Sequence, residues 1–394
     1  MNAEQHVPQF RFKDFSDSWE QRSFKTLYKK VIEKNDLSFE SDRIISVANM
    51  YYKPNDSKSD EKYMETYNIF RLGDIAFEGH KSKNFAYGRF VENTIGDGIV
   101  SHVFDVFRPI SEYDLNYWKY FIHYEDIMGQ KLRMSTTKAT MMNNLVSKDF
   151  LKQSVLVPNL DEQQKIGTFF KQLDHLITLH QRKLAKLKEL KKGYLQKLFP
   201  QNSEKVPEFR FKGYSDVWEK RELGELAEFI NGRAYKQDEL LTSGKYPVLR
   251  VGNFYTNDKW YYSDLELPEK YYAEKGDLLY TWSATFGPHI WIGPKVIYHY
   301  HIWKVALKNL FEKDFALQFF EADRVRLLNS TNGSTMIHVT KKEMESKGIL
   351  LPDISEQRNI GELLRKADDL IAATQCKLDL LKKLKKGYLQ KMFC

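Results

Sequence analysis

Two stretches of this chain repeat one another closely enough to constrain what it can fold into. Residues 160–200 and 354–394 keep the same order of apolar and charged side chains, offset by the separation between Gly193 and Gly387. Apolar residues recur in both stretches at alternating steps of three and four. This is the seven-residue pattern of helices that pack against other helices. The sequence therefore predicts two long helices that share a heptad seam.

The larger apolar residues of this seam are the predicted contact between the helices. They are Ile166, Phe170, Leu173, Ile177, Leu184 and Leu187 in the first helix and Ile360, Leu364, Ile371, Leu378 and Leu381 in the second. Each helix follows a globular stretch, so antiparallel contact joins them without a long return connection. A helix over residues 161–198 would be roughly 57 Å long, at about 1.5 Å per residue.

Local signals mark where these helices begin. A proline comes just ahead of each helix, and Asp161 and Ser355 are the candidate N-caps. Their side-chain oxygens would accept hydrogen bonds from free N–H groups of the first turn. Gly193 and Gly387 lie inside the helical pattern, where each costs about 1 kcal/mol against alanine. Close approach of the two helices would explain these glycines, and so would a break in the last turn.

The duplication extends beyond the helices. Residues 8–24 match residues 207–223 in an aromatic motif, PQFRFKDFSDSWEQRSF against PEFRFKGYSDVWEKREL. We interpret these segments as straps that pack on the helices, with aromatic stacking on DNA as the alternative. The chain then divides into strap segments at 1–20 and 201–219, globular blocks at 21–157 and 220–351, and helices at 158–200 and 352–394.

The two blocks mix strands with helices and match each other only in part. Residues 43–52 are a candidate strand, residues 71–80 and 276–282 are turns that lead into strands, and residues 314–328 are a candidate helix. The predicted class is α+β, a mixed α/β fold with two tandem domains separated by an antiparallel two-helix coiled coil. The blocks share their framework and differ in the middle, as expected of a protein that reads two different ligands at a fixed separation.

The charge is concentrated on the predicted helices. The chain has a formal net charge of +8, and the two helices carry the excess of lysine and arginine. This distribution indicates a polyanion or an acidic partner, although a solvated lysine face is the plain alternative. There is no signal peptide and no apolar run of membrane-spanning length. Two cysteines are too few for a disulfide framework, so we expect a cytoplasmic protein that has no membrane partner.

Motifs of catalysis are missing from the sequence. It contains no phosphate-binding loop, no zinc-binding helix of the H-E-x-x-H kind and no G-x-S-x-G nucleophile turn. His299 and His301 alternate in a candidate strand and would point to one face, but without a third ligand they are a weak metal signal. We therefore expect neither catalytic residues nor a metal site in this chain.

The pattern Pro-x-[Leu/Ile]-x-Glu-Gln-x-x-Ile occurs at the start of both helices, around Glu162-Gln163 and Glu356-Gln357. With the paired strap segments and Gly-Asp turns, it resembles the specificity subunit of type I restriction-modification enzymes, over essentially the whole chain. The resemblance implies two target-recognition domains that bind an asymmetric, two-part sequence in double-stranded DNA. It also implies modification subunits that use S-adenosylmethionine and restriction subunits that use ATP and Mg, while this chain holds no cofactor and no catalytic activity.

Recognition domains of this family vary widely, so candidate DNA-contacting residues must come from the residues themselves. Base edges are read by planar donors and acceptors on loops, with lysine or arginine beside them for phosphates. The candidates are His80, Lys81, Lys83, Asn84, Arg89 and Lys138 in the first block and Asn231, Arg233, Tyr235, Lys236, Ser283, Thr285 and His289 in the second. A coiled-coil adaptor for two protein partners and a stand-alone DNA enzyme remain the competing interpretations.

Overall fold

A computed structural model describes residues 7–54, 61–138, 142–201, 204–255, 257–283, 285–330 and 339–393. Its internal contacts divide the chain into two units. The first contains Met1–Gln181 and Lys377–Cys394, and the second contains Arg182–Cys376. Each unit therefore combines one block with the start of one long helix and the end of the other.

The first block is built from short strands and helices. Its elements are β1 (Glu20–Ser23), α1 (Phe24–Leu27), β2 (Tyr28–Lys30), β3 (Ile45–Ser46), β4 (Tyr51–Tyr52), α2 (Glu61–Met64), β5 (Asn68–Phe70), β6 (Ile75–Glu78), β7 (Arg89–Glu92), β8 (Gly98–Val100), β9 (Val106–Pro109), α3 (Leu115–Phe121), α4 (Glu125–Ser135), β10 (Thr136–Lys138), β11 (Asn143–Leu145), α5 (Ser147–Lys152) and β12 (Ser154–Val157). The long helix α6 (Leu160–Lys197) follows.

An antiparallel sheet with the strand order β2-β9-β6-β7 forms the centre of this block. Phe150 of α5 joins the sheet to α1, because its ring centre lies 4.4 Å from that of Phe24 and 4.5 Å from that of Phe90. The same core contains Trp118 and Phe121 of α3. Strand β1 pairs with β12, so the two ends of the block meet just before α6.

The second block follows the same plan. Its elements are β13 (Glu219–Glu222), α7 (Leu223–Leu226), β14 (Ala227–Asn231), β15 (Tyr246–Leu249), β16 (Tyr261–Ser263), β17 (Tyr272–Ala273), β18 (Leu278–Thr281), β19 (Gly287–Ile290), β20 (Val296–Tyr298), β21 (Ile302–Leu307), α8 (Lys313–Ser330), α9 (Lys341–Glu345) and β22 (Gly348–Leu351), with 3-10 turns at Ser41–Arg43 of the first block and Gln237–Glu239, Val251–Phe254 and Glu269–Tyr271 here. The helix α10 (Ile354–Met392) follows.

The two blocks share one sheet and differ in the structure inserted between its strands. The order β14-β21-β18-β19 repeats β2-β9-β6-β7 strand for strand. Between these strands the second block adds a four-stranded sheet, β16-β15-β20-β17, in which β15 and β20 are parallel, whereas the first block has the two-stranded pairs β3-β4 and β5-β8. This is the divergent middle seen in the sequence.

The long helices pack antiparallel. In the first unit the rings of Phe170 and Phe393 are 5.7 Å apart, and Lys385 Nζ lies 2.6 Å from Asp174 Oδ1. The residue number therefore rises along α6 while it falls along α10. In the second unit Lys191 Nζ donates to Asp368 Oδ1 at 2.6 Å, which gives the same direction. The predicted antiparallel two-helix arrangement is confirmed.

The seam residues lie on the packed faces of these helices. Ile166, Phe170, Leu173, Leu184, Ile360, Leu364 and Leu378 are buried, and Ile177, Leu187, Ile371 and Leu381 are half-buried. Among the residues that the structure describes, these two helices included, none forms a helix long and apolar enough to cross a membrane.

The Glu-Gln pair at the start of each helix holds the strap segment and the block. Arg11 donates to both oxygens of the buried Glu162 carboxylate, at 2.7 and 2.8 Å, and Trp19 Nε1 donates to it at 3.1 Å. In the second unit Arg210 donates to Glu356 in the same two-pronged way, at 2.7 and 2.8 Å. The straps therefore pack on the helices as interpreted.

The following residues of the motif bind the block itself. Gln163 accepts a hydrogen bond from the Asp114 N–H at the start of α3, 3.3 Å away. A Cβ on Gly167 would lie 2.4 Å from Asp114 Oδ1 and 2.6 Å from the Tyr117 nitrogen, so only glycine lets α3 approach α6 this closely. Gln357 accepts from Glu312 in the second unit.

Two expectations about the helices are wrong. The helices begin before Asp161 and Ser355, and the caps are Asn159 and Asp353, which accept from the N–H groups of Glu162 and Glu356 at 2.9 and 3.1 Å. Each cap directly follows the proline and lies two residues before the expected cap.

Neither close approach of the two helices nor a break in the last turn explains the glycines inside the helices. A Cβ on Gly193 or Gly387 would have no atom within 4 Å, which excludes close approach among the described residues, and both helices continue past these positions. The structure gives no reason for glycine at these two positions.

Two strand expectations also change. Residues 43–52 form the hairpin β3-β4, not one strand, with Met50 in the left-handed region at φ 49°. His299 and His301 lie in the turn between β20 and β21, because β20 ends at Tyr298 and β21 begins at Ile302. Their rings are nonetheless adjacent, with centres 4.9 Å apart.

Candidate nucleic-acid interface

Most of the candidate residues follow strands that finish at one end of each shared sheet. We call this the loop end: the end where β6 finishes and β9 begins, and equally where β18 finishes and β21 begins. In the first sheet the Phe77 N–H donates to the Asp105 carbonyl and the Val31 N–H to the Val106 carbonyl, both at 2.8 Å. The connections after β2, after β6 and before β9 are therefore neighbours.

In the first block the loop after β6 places four candidates at this end. His80, Lys81, Lys83 and Asn84 are all exposed. Lysines and amides on an exposed loop can reach phosphates and base edges in a groove. The loop is the polar, basic surface that the sequence predicted.

Lys138 joins this loop through the β10-β11 hairpin. Lys138 pairs with Asn143, whose N–H donates to the Gly79 carbonyl at 2.8 Å and whose Nδ2 donates to the Ala86 carbonyl at 3.3 Å. A Cβ on Gly79 would lie 2.1 Å from the Asn143 carbonyl oxygen, so the close approach requires glycine. The structure thus brings together two stretches that are far apart in sequence.

Arg89 has a different environment. Its Nε donates to Glu78 Oε2 at 2.6 Å across the β6-β7 pair, and Nη2 donates to the Ala48 carbonyl at 2.9 Å. Its guanidinium also lies 5.4 Å from the centre of the Phe85 ring. Arg89 therefore stabilises the end of the loop that adjoins the sheet, while the lysines are exposed on the loop.

In the second block the loop after β14 carries the next candidates. Asn231 and Lys236 are exposed. Arg233 donates to both oxygens of Glu239, at 3.0 and 2.7 Å, and stacks 5.2 Å from the centre of the Tyr235 ring. These hydrogen bonds raise the pKa of Arg233 and lower the pKa of Glu239. Asn231 and Lys236 are the more accessible polar groups of this loop.

The loop after β18 holds Ser283, which is half-buried, and Thr285, which is exposed. His289 lies on β19, where its ring stacks on that of Phe254 with 4.1 Å between centres and its Nε2 is 3.2 Å from the Tyr255 hydroxyl. Burial, and then the charge of Arg324, lower the pKa of His289 to about 4. His289 is therefore a neutral, packed imidazole near neutral pH.

The two loops of the second block meet beside a turn that was not among the candidates. The Gly232 N–H donates to the Ile302 carbonyl at 3.1 Å, and the Trp282 N–H donates to the His301 carbonyl at 3.2 Å. Between them lies the turn 299–301, with the ring of Tyr300 centred 3.9 Å from that of His301 and 4.4 Å from that of His299. Three ring residues in a row, between two apolar strand patterns, were the available signal in the sequence.

His299 and His301 of this turn were the weak metal signal in the sequence. Within the described ranges, no group of three or more histidine, cysteine, aspartate or glutamate residues is placed to hold a metal ion. Burial, together with the neighbouring His301, lowers the pKa of His299 to about 4. A neutral imidazole can both donate and accept a hydrogen bond, so it can pair with either kind of group on a base edge.

Comparison with known proteins finds a matching family model and curated relatives. A family model described as the type I restriction modification DNA specificity domain matches residues 7–189 and 215–383. The chain is 30% identical over 180 residues to the type I restriction enzyme MjaVIII specificity subunit of Methanocaldococcus jannaschii, across 45% of this chain and 42% of that protein. It is 24% identical over 286 residues to the putative MjaX specificity subunit of the same organism, across 70% and 64%. These matches span about half the length of the two curated relatives.

The fold also has a counterpart among solved structures. The crystal structure of a type I restriction-modification system S subunit from M. genitalium superposes with a TM-score of 0.61 and 15% sequence identity, over 98% of this chain and 99% of that one. At this identity the likeness concerns the fold.

Proposed function

The chain belongs to the family of type I restriction modification DNA specificity domains, and from this membership we propose that it reads an asymmetric, two-part sequence in double-stranded DNA. In this role each block recognises one half of the target. The bases between the two halves are not read. The coiled-coil helices join the two readers.

The observation that carries this proposal is a shared sheet with unlike loops. Both blocks keep the strand order of the shared sheet, and both direct loops from the same end of it. Equivalent loops differ in length and residues: the loop after β6 has His80, Lys81 and Lys83, and the loop after β18 has Ser283 and Thr285. Two readers on one scaffold with different loops are what an asymmetric target requires.

The chemistry of these loops supports a division of labour within each block. Exposed lysines such as Lys83 and Lys138 suit phosphate contacts, which give affinity without sequence information. Amides and imidazoles such as Asn84 and His80 suit base edges in the major groove. Ion pairs such as Arg89 with Glu78 and Arg233 with Glu239 hold the loops in place.

The remaining activities of such a system belong, in this proposal, to partner chains. Modification subunits would methylate adenine with S-adenosylmethionine, and restriction subunits would use ATP and Mg. Support comes from the sequence, which contains no phosphate-binding loop and no methyltransferase motif. This chain would recruit the partners and supply the sequence preference, without catalytic activity of its own.

The test is the methylated motif in DNA from cells that carry this chain and its modification partner. We expect one asymmetric motif made of two specific parts with an unread spacer. Binding of the purified complex to a duplex with that motif should weaken steeply with salt. A complex that leaves DNA unmethylated and binds no duplex would contradict the proposal and favour a protein adaptor. Methylation by this chain alone would instead identify an enzyme.

A further inference from the structure

Each shared sheet has a turn just before the strand that stands second in its strand order, β9 or β21. These turns are residues 101–105, before β9, and residues 299–301, before β21. We infer, resting on the proposed function, that they are base-reading elements. His102 is the reader in the first block and Tyr300 is the reader in the second.

The two turns are equivalent in the fold although their sequences differ. Each turn lies between the two loops that follow the neighbouring strands of its sheet, and a hydrogen bond across the turn closes it. The Phe104 N–H donates to the Ser101 carbonyl at 3.1 Å, and the Ile302 N–H donates to the His299 carbonyl at 2.9 Å. Neither turn could be matched to the other by sequence, because both fall in the divergent middle of the blocks.

Their position at the loop end is central. The strand that follows each turn, β9 or β21, has neighbours on both sides in its sheet. One neighbour leads into the loop with His80 or Ser283, and the other into residues 31–34 or the loop with Arg233. A DNA groove that receives the two flanking loops therefore also faces the turn between them.

Hydrogen bonds hold the backbone of the second turn in place at Tyr300. The Tyr300 N–H donates to the Arg233 carbonyl at 3.1 Å, and the Tyr300 carbonyl accepts from Trp282 Nε1 at 2.9 Å. Tyr300 nonetheless remains 39% exposed. Its phenol can donate and accept a hydrogen bond, and its ring can contact a thymine methyl.

The first turn offers the same kind of group. His102 is exposed, its Nδ1 lies 3.4 Å from Thr66 Oγ1, and its ring meets that of Tyr63 edge-on at 5.9 Å between centres. Val103, beside it, is also exposed. An oriented imidazole next to an apolar side chain matches the polar edge and the methyl group that a base pair presents in the major groove.

The experiment compares His102→Ala and Tyr300→Ala in the complete complex. The controls are Leu72→Ala and Ile292→Ala, which remove exposed side chains from turns at the opposite end of the same two sheets. The readout is the methylated motif in cells. We expect His102→Ala to relax or change bases in one half of the motif, Tyr300→Ala in the other half, and the controls in neither.

Equilibrium binding decides the result for a variant that no longer methylates. Purified complexes are titrated with the target duplex and with duplexes altered in one half, and melting temperatures check folding. We expect each variant to discriminate about tenfold less at its own half, and Tyr300→Phe to lose part of the same discrimination. Variants that keep the wild-type motif and wild-type discrimination would overturn the inference while leaving the proposed function intact. A wild-type complex without any two-part motif would instead overturn the proposed function.

Discussion

Lys191 of α6 and Asp368 of α10 form a 2.6 Å hydrogen bond inside the second unit, and their repeat equivalents Lys385 and Asp174 form one of the same length inside the first. The pairs are interhelical polar contacts beside a mainly apolar seam. A partly buried pair of this kind specifies the register of two helices at some cost in stability. Both copies of the duplication retain it, so the alignment of α6 with α10 depends on the same contact twice.

Asp368→Ala should destabilise the second unit by about 1–3 kcal/mol, because Lys191, whose side chain is 16% exposed, loses its acceptor. Gln318 Nε2 also donates to Asp368 and would lose its partner. Denaturant unfolding of the full chain measures the change. The matched control is Asp369→Ala, an exposed neighbour that pairs with Arg365 one turn away. Equal effects of the two substitutions would contradict the assigned role.

Arg11→Ala should cost about 3–5 kcal/mol, because it leaves the fully buried Glu162 without its charged partner. Trp19 would remain as the donor to that carboxylate. Thermal and denaturant unfolding provide the measurement. The control is Arg22→Ala in the adjoining strand β1, whose pair with the exposed Glu20 spans 4.0 Å and should contribute less than about 1 kcal/mol. A strap that serves only to contact DNA would show no difference between the two variants.

The sequence predicted the helices well because their signal is local. Residues such as Ile166 and Leu364 repeat at a fixed spacing, and the spacing alone places them on one face. The caps were displaced by two residues, from Asp161 to Asn159 and from Ser355 to Asp353. Several polar residues beside a proline can cap a first turn, and only the backbone decides among them.

The candidate interface was harder to predict because its partners are distant in the chain. Arg89 and Arg233 are residues of a type that often contacts DNA. The sequence does not show that they already form ion pairs with Glu78 and Glu239. The role of the turn 299–301 was hidden for a related reason. Alternating ring residues in a sequence predict a strand. In the structure strand β20 ends at Tyr298, where its pairing with β15 ends.

Glu92→Gln should stabilise the protein at neutral pH. Both carboxyl oxygens of Glu92 are buried with no hydrogen-bond partner among the described residues, and burial raises its pKa well above the usual range. The folded state therefore keeps the proton while the unfolded state releases it above pH of about 4.3. Stability that is present below this pH is lost as the pH rises toward the folded pKa, by about 1.4 kcal/mol per pH unit.

Unfolding free energies at pH 5, 6 and 7 test this directly. The advantage of Glu92→Gln over the wild type should grow with pH across this range. Glu65→Gln, at an exposed position of the same block, should show no such growth. A constant difference between Glu92→Gln and the wild type would mean that the Glu92 carboxyl ionises without cost in the folded protein.

His289 should give the opposite pH dependence. Its pKa in the folded protein is about 4, lowered first by burial, whereas the unfolded value is about 6.5. The unfolded state therefore binds the proton first, and stability that is complete above pH of about 6.5 falls as the pH drops toward 4. His289→Phe keeps a ring against Phe254, so it should resemble the wild type at pH 7 and exceed it at pH 5. His175→Phe, at an exposed position of α6, is the control and should follow the wild-type slope.

Lys83→Ala should weaken binding to all duplexes about equally and reduce the slope of log affinity against log salt by about 1, if Lys83 contacts a phosphate. Lys83 is exposed on the loop after β6, where nothing in the described structure neutralises it. Lys25→Ala removes an exposed lysine from α1, beside the opposite end of the same sheet, and should leave both affinity and slope unchanged. Titrations of the complex at several salt concentrations give both quantities. An unchanged slope with a relaxed base preference would make Lys83 a base contact, and equal effects of the two variants would remove the loop end from the DNA interface.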